Sequence, residues 1–322
     1  MADHSGIEAN LASLSAVRAA VGRIIIGQAD VVDQSLAAIL GGGHALLTGV
    51  PGLGKTRLVE TFGVTLGLHT RRVQFTPDLM PSDILGSEIL DQTAEGRKFR
   101  FIPGPIFTEL LMADEINRAS PRTQSALLQA MAEGSIAIAG ENRSLPTPFH
   151  VLATQNPLEQ EGTYPLPEAQ LDRFLLDIQI DYPAEADERA MLLATTGTTQ
   201  AQPAQIITAF ELLQIQEAVR AMPVGAKVVD GILHLVRSAR PETPAWPELK
   251  TQLAWGPGPR AAQALMLASR ARAMLDGRVS PSLDDVAALA APALRHRMAL
   301  NFSARAEGVQ LDAIIVRLAA RL

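Results

Sequence analysis

The sequence contains no cysteine and few aromatic residues. The absence of cysteine excludes disulfide bridges, zinc sites built from thiolates and catalysis by a thiol nucleophile. Phenylalanine, tryptophan and tyrosine together make up 4% of the 322 residues, so small aliphatic side chains supply most of the apolar surface. This composition favours helix-rich packing over an all-β sandwich.

Lysine is also scarce, with four positions in the chain, and the net charge is −6. A surface dedicated to nucleic acid normally needs clustered basic residues to neutralise phosphates, so this balance argues mildly against such a surface. Two short basic runs do occur, at 270–272 and 295–297. We expect both to lie on solvated helix faces.

Long apolar runs are missing as well. No run reaches the ~18–20 residues that span a bilayer. The first residues also lack the apolar segment behind a basic start that marks a secretory leader. We therefore expect no membrane insertion and a cytoplasmic location.

A chain of 322 residues is long enough for two domains. Short apolar strands first alternate with helical patterns, which predicts a parallel sheet with helices on both faces. The predicted strands are 44–48, 71–75, 110–113, 150–154 and 174–180. From about residue 185 onward helical patterns dominate. We therefore predict an α/β domain over 1–183, followed by an all-α domain over 184–322.

Two segments of the predicted first domain interrupt this alternation. Residues 89–92 and 98–102 flank a Thr-Ala-Glu-Gly run, and residues 135–139 lead into a polar turn that returns toward Pro148. Turn residues between two strand-like runs predict β-hairpins. Both predicted hairpins lie close in sequence to the strand 110–113.

The segment Gly49–Thr56 carries the strongest motif of the chain, Gly-Val-Pro-Gly-Leu-Gly-Lys-Thr. It fits G-x-x-x-x-G-K-[ST], in which glycines let backbone N–H groups approach phosphate oxygens at a helix N-terminus. Lys55 is predicted to reach the β- and γ-phosphates of ATP, and the Thr56 hydroxyl to bind Mg²⁺. An accidental glycine turn is the alternative. The apolar strand before the motif and the helix after it favour the phosphate loop.

A second apolar strand ends in two adjacent acids, Asp114 and Glu115, and Asp114 comes 59 residues after Lys55. In an NTPase, the first acid of such a pair holds Mg²⁺ and the second orients and deprotonates the attacking water. We expect Asp114 to bind the metal through water and Glu115 to act as the base. A solvated acidic turn would look the same in isolation, and the spacing from the phosphate loop favours the catalytic interpretation.

Asn156 follows a third apolar strand, 150–154, and precedes a proline. Its amide could position the attacking water between Glu115 and the γ-phosphate. Taken alone, an Asn-Pro turn would be the better interpretation. The order of the motifs along the chain favours the catalytic role.

Two arginines stand at the start of predicted elements. Arg173 precedes a strand, and Arg260 lies in the first turn of a helix in the predicted second domain. Arginine can neutralise the charge that develops on a γ-phosphate during transfer. Sequence spacing alone does not separate this role from that of ordinary surface arginines.

These stretches together resemble the MoxR family of AAA+ ATPases. The resemblance covers essentially all of the predicted first domain and reaches into the second, and its most specific part is the block 162–174. The matching stretches are 26–28, 49–56, 74–79, 104–107, 113–119, 123–131, 153–157, 162–174 and 259–262.

The resemblance implies a role for each candidate residue. Members of the family form rings, usually hexamers, with ATP at the subunit interfaces. Arg173 is then similar to the arginine finger supplied to a neighbour, Arg260 to the sensor-2 arginine of the lid, and Asn156 to sensor 1. Ile26 and Gly27 match the segment that lines the adenine. The nucleotide-binding residues implied are Ile26, Gly27, Gly49, Pro51, Gly52, Leu53, Gly54, Lys55, Thr56 and Arg57.

The resemblance also implies a function, which is chaperone-like remodelling or maturation of client proteins. Such ATPases often act with a partner that carries a von Willebrand factor A domain. The hairpins at 89–102 and 135–149 resemble the helix-2 insert and the pre-sensor-1 hairpin, which touch the substrate in related rings. Three alternatives stay open: a nucleic-acid motor, a chelatase-type subunit that powers metal insertion, and a P-loop protein that regulates without hydrolysis.

Overall fold

Eleven strands occur in the computed structural model, which describes residues 4–93, 96–158, 162–197 and 201–322. They are β1 (Ala45–Gly49), β2 (Thr70–Gln74), β3 (Gly86–Thr93), β4 (Gly96–Pro103), β5 (Leu110–Asp114), β6 (Ser135–Ile138), β7 (Glu141–Ser144), β8 (His150–Gln155), β9 (Leu176–Ile180), β10 (Leu253–Trp255) and β11 (Ala299–Leu300). Five of them pair in parallel in the order β2-β5-β8-β1-β9. The predicted parallel sheet is confirmed, with each strand within two residues of its predicted start.

Helices pack around this sheet and dominate the described residues after β9. They are α1 (His4–Gly22), α2 (Ala29–Leu40), α3 (Lys55–Thr65), α4 (Pro81–Leu85), α5 (Pro121–Glu133), α6 (Glu168–Leu171), α7 (Glu185–Thr196), α8 (Ala209–Ala221), α9 (Ala226–Ser238), α10 (Pro247–Gln252), α11 (Pro259–Leu275), α12 (Leu283–Leu294), α13 (Phe302–Ala306) and α14 (Leu311–Ala319). Short 3-10 turns occupy Ile116–Arg118 and Arg295–Arg297. No helix within the described residues is long and apolar enough to cross a bilayer.

The central strands are apolar because helices cover both faces of the sheet. All five residues of β5 are buried, and β8 is buried from His150 to Thr154. Strands covered on both faces need apolar side chains on both, which explains their continuous apolar runs. At the edge, β2 buries only Val73.

Alternate residues of β5 contribute to two different apolar cores. Leu110 and Met112 belong to a core that also contains α2 and the later helices, whereas Leu111 and Ala113 belong to a core on the opposite face. Side chains of a strand alternate between faces, so one strand serves both cores. Because the first core spans residues from both predicted domains, the division at residue 183 stays a prediction.

The all-α prediction for 184–322 misses one feature. β10 and β11 pair there as a small antiparallel ladder, joining Leu253 to Leu300 and Trp255 to Ala299. With three and two residues, these strands are too short to produce a recognisable alternation in the sequence. The other regular elements described after residue 184 are helices, as predicted.

Both predicted hairpins are confirmed as antiparallel pairs. β3 pairs with β4 along eight residues each, and β6 pairs with β7 along four. The predicted turn of the first hairpin includes Ala94 and Glu95, which lie outside the described residues. In the second hairpin the turn is tighter than predicted, because Ala139 and Gly140 alone connect the strands, with φ of 53° and 83°. Two successive left-handed residues are typical of a two-residue hairpin turn.

The prediction that the basic runs lie on solvated faces is wrong for 295–297 and only partly right for 270–272. His296 and Arg297 are buried, at 5% and 3% exposure. Arg270 and Arg272 are half-buried. Arg272 pairs with the buried Asp285 at 3.3 Å. An arginine can be buried when its donors all meet acceptors, and a one-dimensional pattern does not reveal such partners.

Two histidines, the half-buried His44 and the buried His150, lie at the amino edge of the sheet. His150 Nδ1 lies 2.8 Å from the Gly43 carbonyl and must donate to it, so Nε2 accepts from the Gln216 amide at 2.9 Å. In His44, Nδ1 accepts from the Val151 N–H at 3.0 Å. Both rings are therefore neutral. Burial lowers the pKa of His44 to about 3 and that of His150 to about 4.

This pair predicts a loss of stability in mild acid. The folded chain keeps both rings neutral, whereas the unfolded chain binds protons below about pH 6.5. The free energy of unfolding should therefore be insensitive to these groups above pH 6.5 and fall by roughly 2–4 kcal/mol between pH 7 and pH 5. Urea unfolding at several pH values measures the slope of the free energy of unfolding against pH.

Two variants test the origin of that slope. His150→Asn keeps an N–H for the Gly43 carbonyl but cannot titrate. It should flatten the dependence of the unfolding free energy on pH by about a third, because burial lowers the pKa of His296 and of His44 as well. His69 is exposed, and His69→Gln should leave the slope unchanged. Equal slopes for His150→Asn and the unsubstituted chain would show that the acid sensitivity arises elsewhere.

Candidate functional site

Three of the predicted functional segments meet at one edge of the sheet. The phosphate loop follows β1, Asp114 ends β5 and Asn156 follows β8. These strands are direct neighbours in the order β5-β8-β1, and all run in parallel. Their carboxyl ends therefore lie side by side. Open α/β sheets bind ligands in the crevice outside the carboxyl ends of their strands.

The phosphate loop has a backbone conformation that glycine permits. Gly52 and Gly54 have φ of 87° and 76°, and a Cβ at either position would meet no described atom within 4 Å. Conformation rather than crowding therefore calls for glycine there. At Gly49 the reason is different, because a Cβ would lie 2.5 Å from the Ile180 carbonyl oxygen on β9. Pro51 is exposed in the loop.

Helix α3 directs its first N–H groups into this loop. It begins at Lys55 with Gly54 as its N-cap, and no side chain among the described residues caps it. The N-terminal N–H groups of a helix carry the positive end of its dipole and bind phosphate well. Thr56 and Arg57 lie half-buried in the first turn, where the Arg57 guanidinium reaches the Ala201 carbonyl at 3.5 Å.

The Lys55 ammonium lies against the loop. It donates to the Val50 carbonyl at 3.2 Å and also to the Gly49 carbonyl. A flexible stem with three donors can exchange such carbonyls for phosphate oxygens at little cost. The lysine is therefore already on the side of the loop where its predicted role requires it.

The segment predicted to line the adenine is attached to the phosphate loop. Gln28 donates its side-chain amide to the Leu53 carbonyl at 3.0 Å. Ile26 is half-buried, and Gly27 has a φ of 75°. A Cβ on Gly27 would lie 2.5 Å from the Cβ of Asp187, so α7 packs closely there. This close approach joins the segment to the first helix of the second predicted domain.

Asp114 is nearly buried, and polar groups hold both of its carboxylate oxygens. Oδ2 accepts from Arg72 Nη2 at 2.5 Å and from Nε at 3.1 Å. Oδ1 accepts from the Thr154 hydroxyl at 2.6 Å. Arg72 lies on β2 and Thr154 on β8, the two neighbours of β5. The flanking strands thus fix the orientation of this carboxylate.

Glu115 adopts an unusual backbone conformation, with φ of 55°. Non-glycine residues in the left-handed region are uncommon and are concentrated at functional sites. Its N–H donates to Thr154 Oγ1 at 2.8 Å, so one hydroxyl orders both acids. Its Oε2 accepts from Gln74 at 2.7 Å and from Arg118 at 3.0 Å. These contacts position the carboxylate beyond the end of the sheet.

Asn156 is 5% exposed and lies just after β8, between the strands that carry the acids and the phosphate loop. Its Oδ1 accepts from the Leu158 N–H at 3.1 Å. The side-chain oxygen is therefore used in a local turn, and the amide N–H₂ is the group suited to meet an oxygen of water or phosphate.

Arg173 and Arg260 lie at the opposite edge of the sheet. Arg173 precedes β9, whose first residue pairs with Ala45 at the start of β1. β9 has five residues, so its ends are about 15 Å apart. Arg260 joins the same edge, because its Nη1 lies 3.4 Å from Asp172 Oδ2. The two arginines are therefore separated from the phosphate loop of their own chain.

Arg173 and Arg260 both line a cavity of about 260 Å³. Its lining includes Arg173, Arg260, Asp172 and Arg297. Arg173 donates to the Leu128 carbonyl on α5. The cavity wall thus combines residues that precede β1 and β9 with residues of α5 and of α11.

Sequence reasoning missed several residues that organise this site. Arg72, Gln74 and Thr154 contact the two acids, and Gln28 contacts the phosphate loop. Gln28, Gln74 and Thr154 lay inside stretches that carried the family resemblance, but nothing local assigned them a partner. The polar ends of β2 and β8 were the available signal.

The residues at the carboxyl edge fit magnesium-bound ATP. The phosphate loop offers N–H groups and a lysine, Thr56 offers a hydroxyl, and Asp114 offers a carboxylate. No group of three or more acidic, histidine or cysteine side chains that could hold a metal occurs among the described residues. Mg²⁺ commonly binds through one or two carboxylates together with substrate phosphates, so such a group is not needed.

Sheet order, phosphate loop and paired acids together define a P-loop ATPase of the AAA+ class. Residues 44–176 match the model of the ATPase family associated with various cellular activities, and residues 249–318 match the AAA lid domain. The chain is 41% identical over 313 residues to Chaperone MoxR1 of Mycobacterium tuberculosis, covering 97% of this chain and 82% of that protein. It therefore belongs to the MoxR family of AAA+ ATPases.

Two further comparisons agree with this assignment. The chain is 32% identical to Protein MoxR of Paracoccus denitrificans, covering 88% of this chain and 87% of the relative. A crystal structure from Cytophaga hutchinsonii superposes with a TM-score of 0.90 at 34% identity, covering 99% of this chain and 96% of that one. The predicted family and fold class are confirmed.

Proposed function

We propose that the chain hydrolyses ATP and uses the energy to remodel client proteins. The observation that carries this proposal is the convergence of the phosphate loop, the acid pair and Asn156 at one edge of the sheet. Lys55 and the α3 N-terminus hold the β- and γ-phosphates, and Thr56 and Asp114 hold Mg²⁺. The metal ion neutralises charge on the phosphates when bound.

Glu115 orients the attacking water and accepts its proton. The Gln74 and Arg118 contacts keep its carboxylate in one place, which supports this role. Asn156 donates its amide N–H₂ to the water or to the γ-phosphate. Ile26 and Gly27 line the adenine.

The location of the arginines supports assembly into a ring, for which the family resemblance suggests a hexamer. Arg173 and Arg260 are at the far edge of the sheet from the phosphate loop, so neither is placed to reach its own γ-phosphate. In a ring of head-to-tail contacts, the edge with the arginines can face the nucleotide of the next copy. Both arginines would then stabilise the charge on that neighbour's γ-phosphate.

The first hairpin supports contact with a protein client. Leu90 and Phe99 lie directly opposite each other on β3 and β4, and they are 52% and 72% exposed. An exposed apolar cross-strand pair is unusual on a hairpin and suits a protein surface. The partner with a von Willebrand factor A domain, which the family resemblance implies, remains part of the proposal. So does the cytoplasmic location of this chain.

Capture of the client tests this function. Tagged Glu115→Gln protein loaded with ATP and Mg²⁺ should retain a client that the ADP-bound form releases. Phe99→Ser in the same background should lower retention at least about tenfold while ATP still binds, since it removes a central apolar anchor. Retention of nucleic acid alone, lost after nuclease treatment, would favour the nucleic-acid motor instead.

A further inference from the structure

Arg297 is a buried arginine whose five N–H groups all have acceptors. Its Nε donates to Asp172 Oδ1 at 2.7 Å. Nη1 donates to the Leu175 carbonyl at 3.1 Å and to the Ala293 carbonyl at 2.7 Å. Nη2 donates to the Asp172 carbonyl at 3.2 Å and to the Phe174 carbonyl at 2.7 Å. A guanidinium has no further N–H to offer.

Four of these five acceptors lie in the segment 172–175. This segment carries Arg173 at its second position, so the residues on both sides of Arg173 are held by one side chain from the second predicted domain. His296 adds a contact at 3.1 Å from its Nε2 to the Phe174 carbonyl. The backbone that aims Arg173 is thereby attached to the 3-10 turn after α12.

Asp172 extends the same network to Arg260. Its Oδ1 accepts from Arg297, and its Oδ2 lies 3.4 Å from Arg260 Nη1. One carboxylate therefore stands between the buried arginine and the exposed one. Arg297 reaches Arg173 through the backbone and Arg260 through this carboxylate.

A simple packing contact would not need this arrangement. Burying a guanidinium is costly unless every donor is matched, and an apolar side chain of similar size often packs as well or better. Arg297 is 3% exposed. The fixed fork of five donors can hold several carbonyls at defined angles, which neither lysine nor an apolar residue can do.

We propose that Arg297 is a positioning residue, which sets the geometry of the two arginines that each subunit presents to its neighbour. The proposal rests on the proposed function, in which Arg173 and Arg260 act on the next subunit's nucleotide. Arg297 itself lies on the cavity wall behind them and acts through Asp172 and the 172–175 backbone. Its loss should leave the phosphate loop of its own chain intact.

The direct test is Arg297→Met. Its turnover of ATP at saturating substrate should fall about 10²-fold, since a displacement of about 1 Å in a catalytic group has that effect. The KM for ATP, and the affinity of a fluorescent ATP analogue, should stay within about twofold, because Lys55 and the α3 N-terminus are unchanged. A rise in KM with unchanged kcat would contradict the positioning role.

Mixing variants separates positioning from a general structural defect. Arg297→Met should be a poor donor of arginines with an intact nucleotide site, whereas Glu115→Gln should be a good donor with an inactive site. In a 1:1 mixture about a quarter of the sites combine a good donor with an active site, so turnover should recover to about that fraction of the unsubstituted rate. Absence of recovery would overturn the proposal.

Two matched variants complete the design. Arg173→Ala mixed with Glu115→Gln should recover equally; its failure would count against the proposed function, whereas its recovery without that of Arg297→Met would count against Arg297 alone. Arg295→Met removes a neighbouring arginine, which donates to the Asp177 carbonyl at 2.7 Å and not to 172–175. It should keep donor activity.

A conservative variant covers the case in which Arg297→Met does not fold. Arg297→Lys retains the charge but offers three N–H groups from one atom instead of a planar fork. Its kcat should also fall, though less than that of Arg297→Met. When it is mixed with Glu115→Gln, turnover should recover in the same way. If folded Arg297→Lys turned over ATP at the rate of the unsubstituted chain, the proposal would be overturned.

Discussion

Replacing Glu115 by glutamine is expected to lower ATP turnover by about 10²–10⁴-fold while ATP binding persists. The amide oxygen of glutamine can still accept from Gln74 and Arg118, which now donate to Glu115 Oε2 at 2.7 Å and 3.0 Å. The side chain should therefore keep its position and lose only its ability to take a proton. Phosphate release at saturating ATP and Mg²⁺ measures the loss, and equilibrium dialysis measures binding.

A control at another acid makes this result specific. Glu133 is exposed at the end of α5, where its Oε1 accepts from Gln129 at 2.9 Å. Glu133→Gln carries out the same chemical change far from the carboxyl edge and should leave turnover unaltered. Unaltered turnover in Glu115→Gln would remove the proposed base, and loss of ATP binding would point to a structural role for this residue.

The carboxyl edge was largely predictable because its parts are local in sequence. A phosphate loop is eight consecutive residues, and Asp114 and Glu115 are adjacent. Their convergence follows from parallel pairing, since each motif comes at the end of its own strand. The structure adds the order β5-β8-β1, which puts Asn156 between the other two motifs.

The contacts that orient these residues were not predictable from the sequence. Arg72 meets Asp114 only because β2 and β5 pair in the register that sets Gln74 opposite Asp114. Thr154 reaches both acids from β8, 39 and 40 positions along the chain. Such pairings depend on strand register, which a single sequence specifies weakly before the sheet is known.

Arg297 shows a second limit of sequence reasoning. Its run of three basic residues suggests a solvated face, because most arginines are exposed. Burial becomes possible here since four backbone carbonyls and one carboxylate converge on one guanidinium. Carbonyl groups are present at every residue, so the sequence carries no sign of which ones converge.

Arg173→Ala is expected to lower kcat by about 10³-fold without changing the affinity of the isolated chain for ATP. An arginine that neutralises charge on a transferring phosphoryl group contributes a factor of this size. Arg173 lies at the amino end of β9, whereas the phosphate loop follows the carboxyl end of the neighbouring β1. The loss should therefore occur at the site of the adjacent subunit. Arg321, which is exposed and donates to the Ala245 carbonyl at 3.0 Å, provides the control Arg321→Ala.

The dependence of turnover on protein concentration decides whether Arg173 acts between subunits. If two copies complete each site, turnover per chain must rise with concentration as contacts form and then level off. Light scattering should show that Arg173→Ala assembles over the same range of protein concentration. Its turnover should stay slow throughout, because assembly brings no arginine at this position to the γ-phosphate. Turnover per chain that is constant down to the monomer would mean that one chain holds a complete site, which the separation of the two edges does not allow.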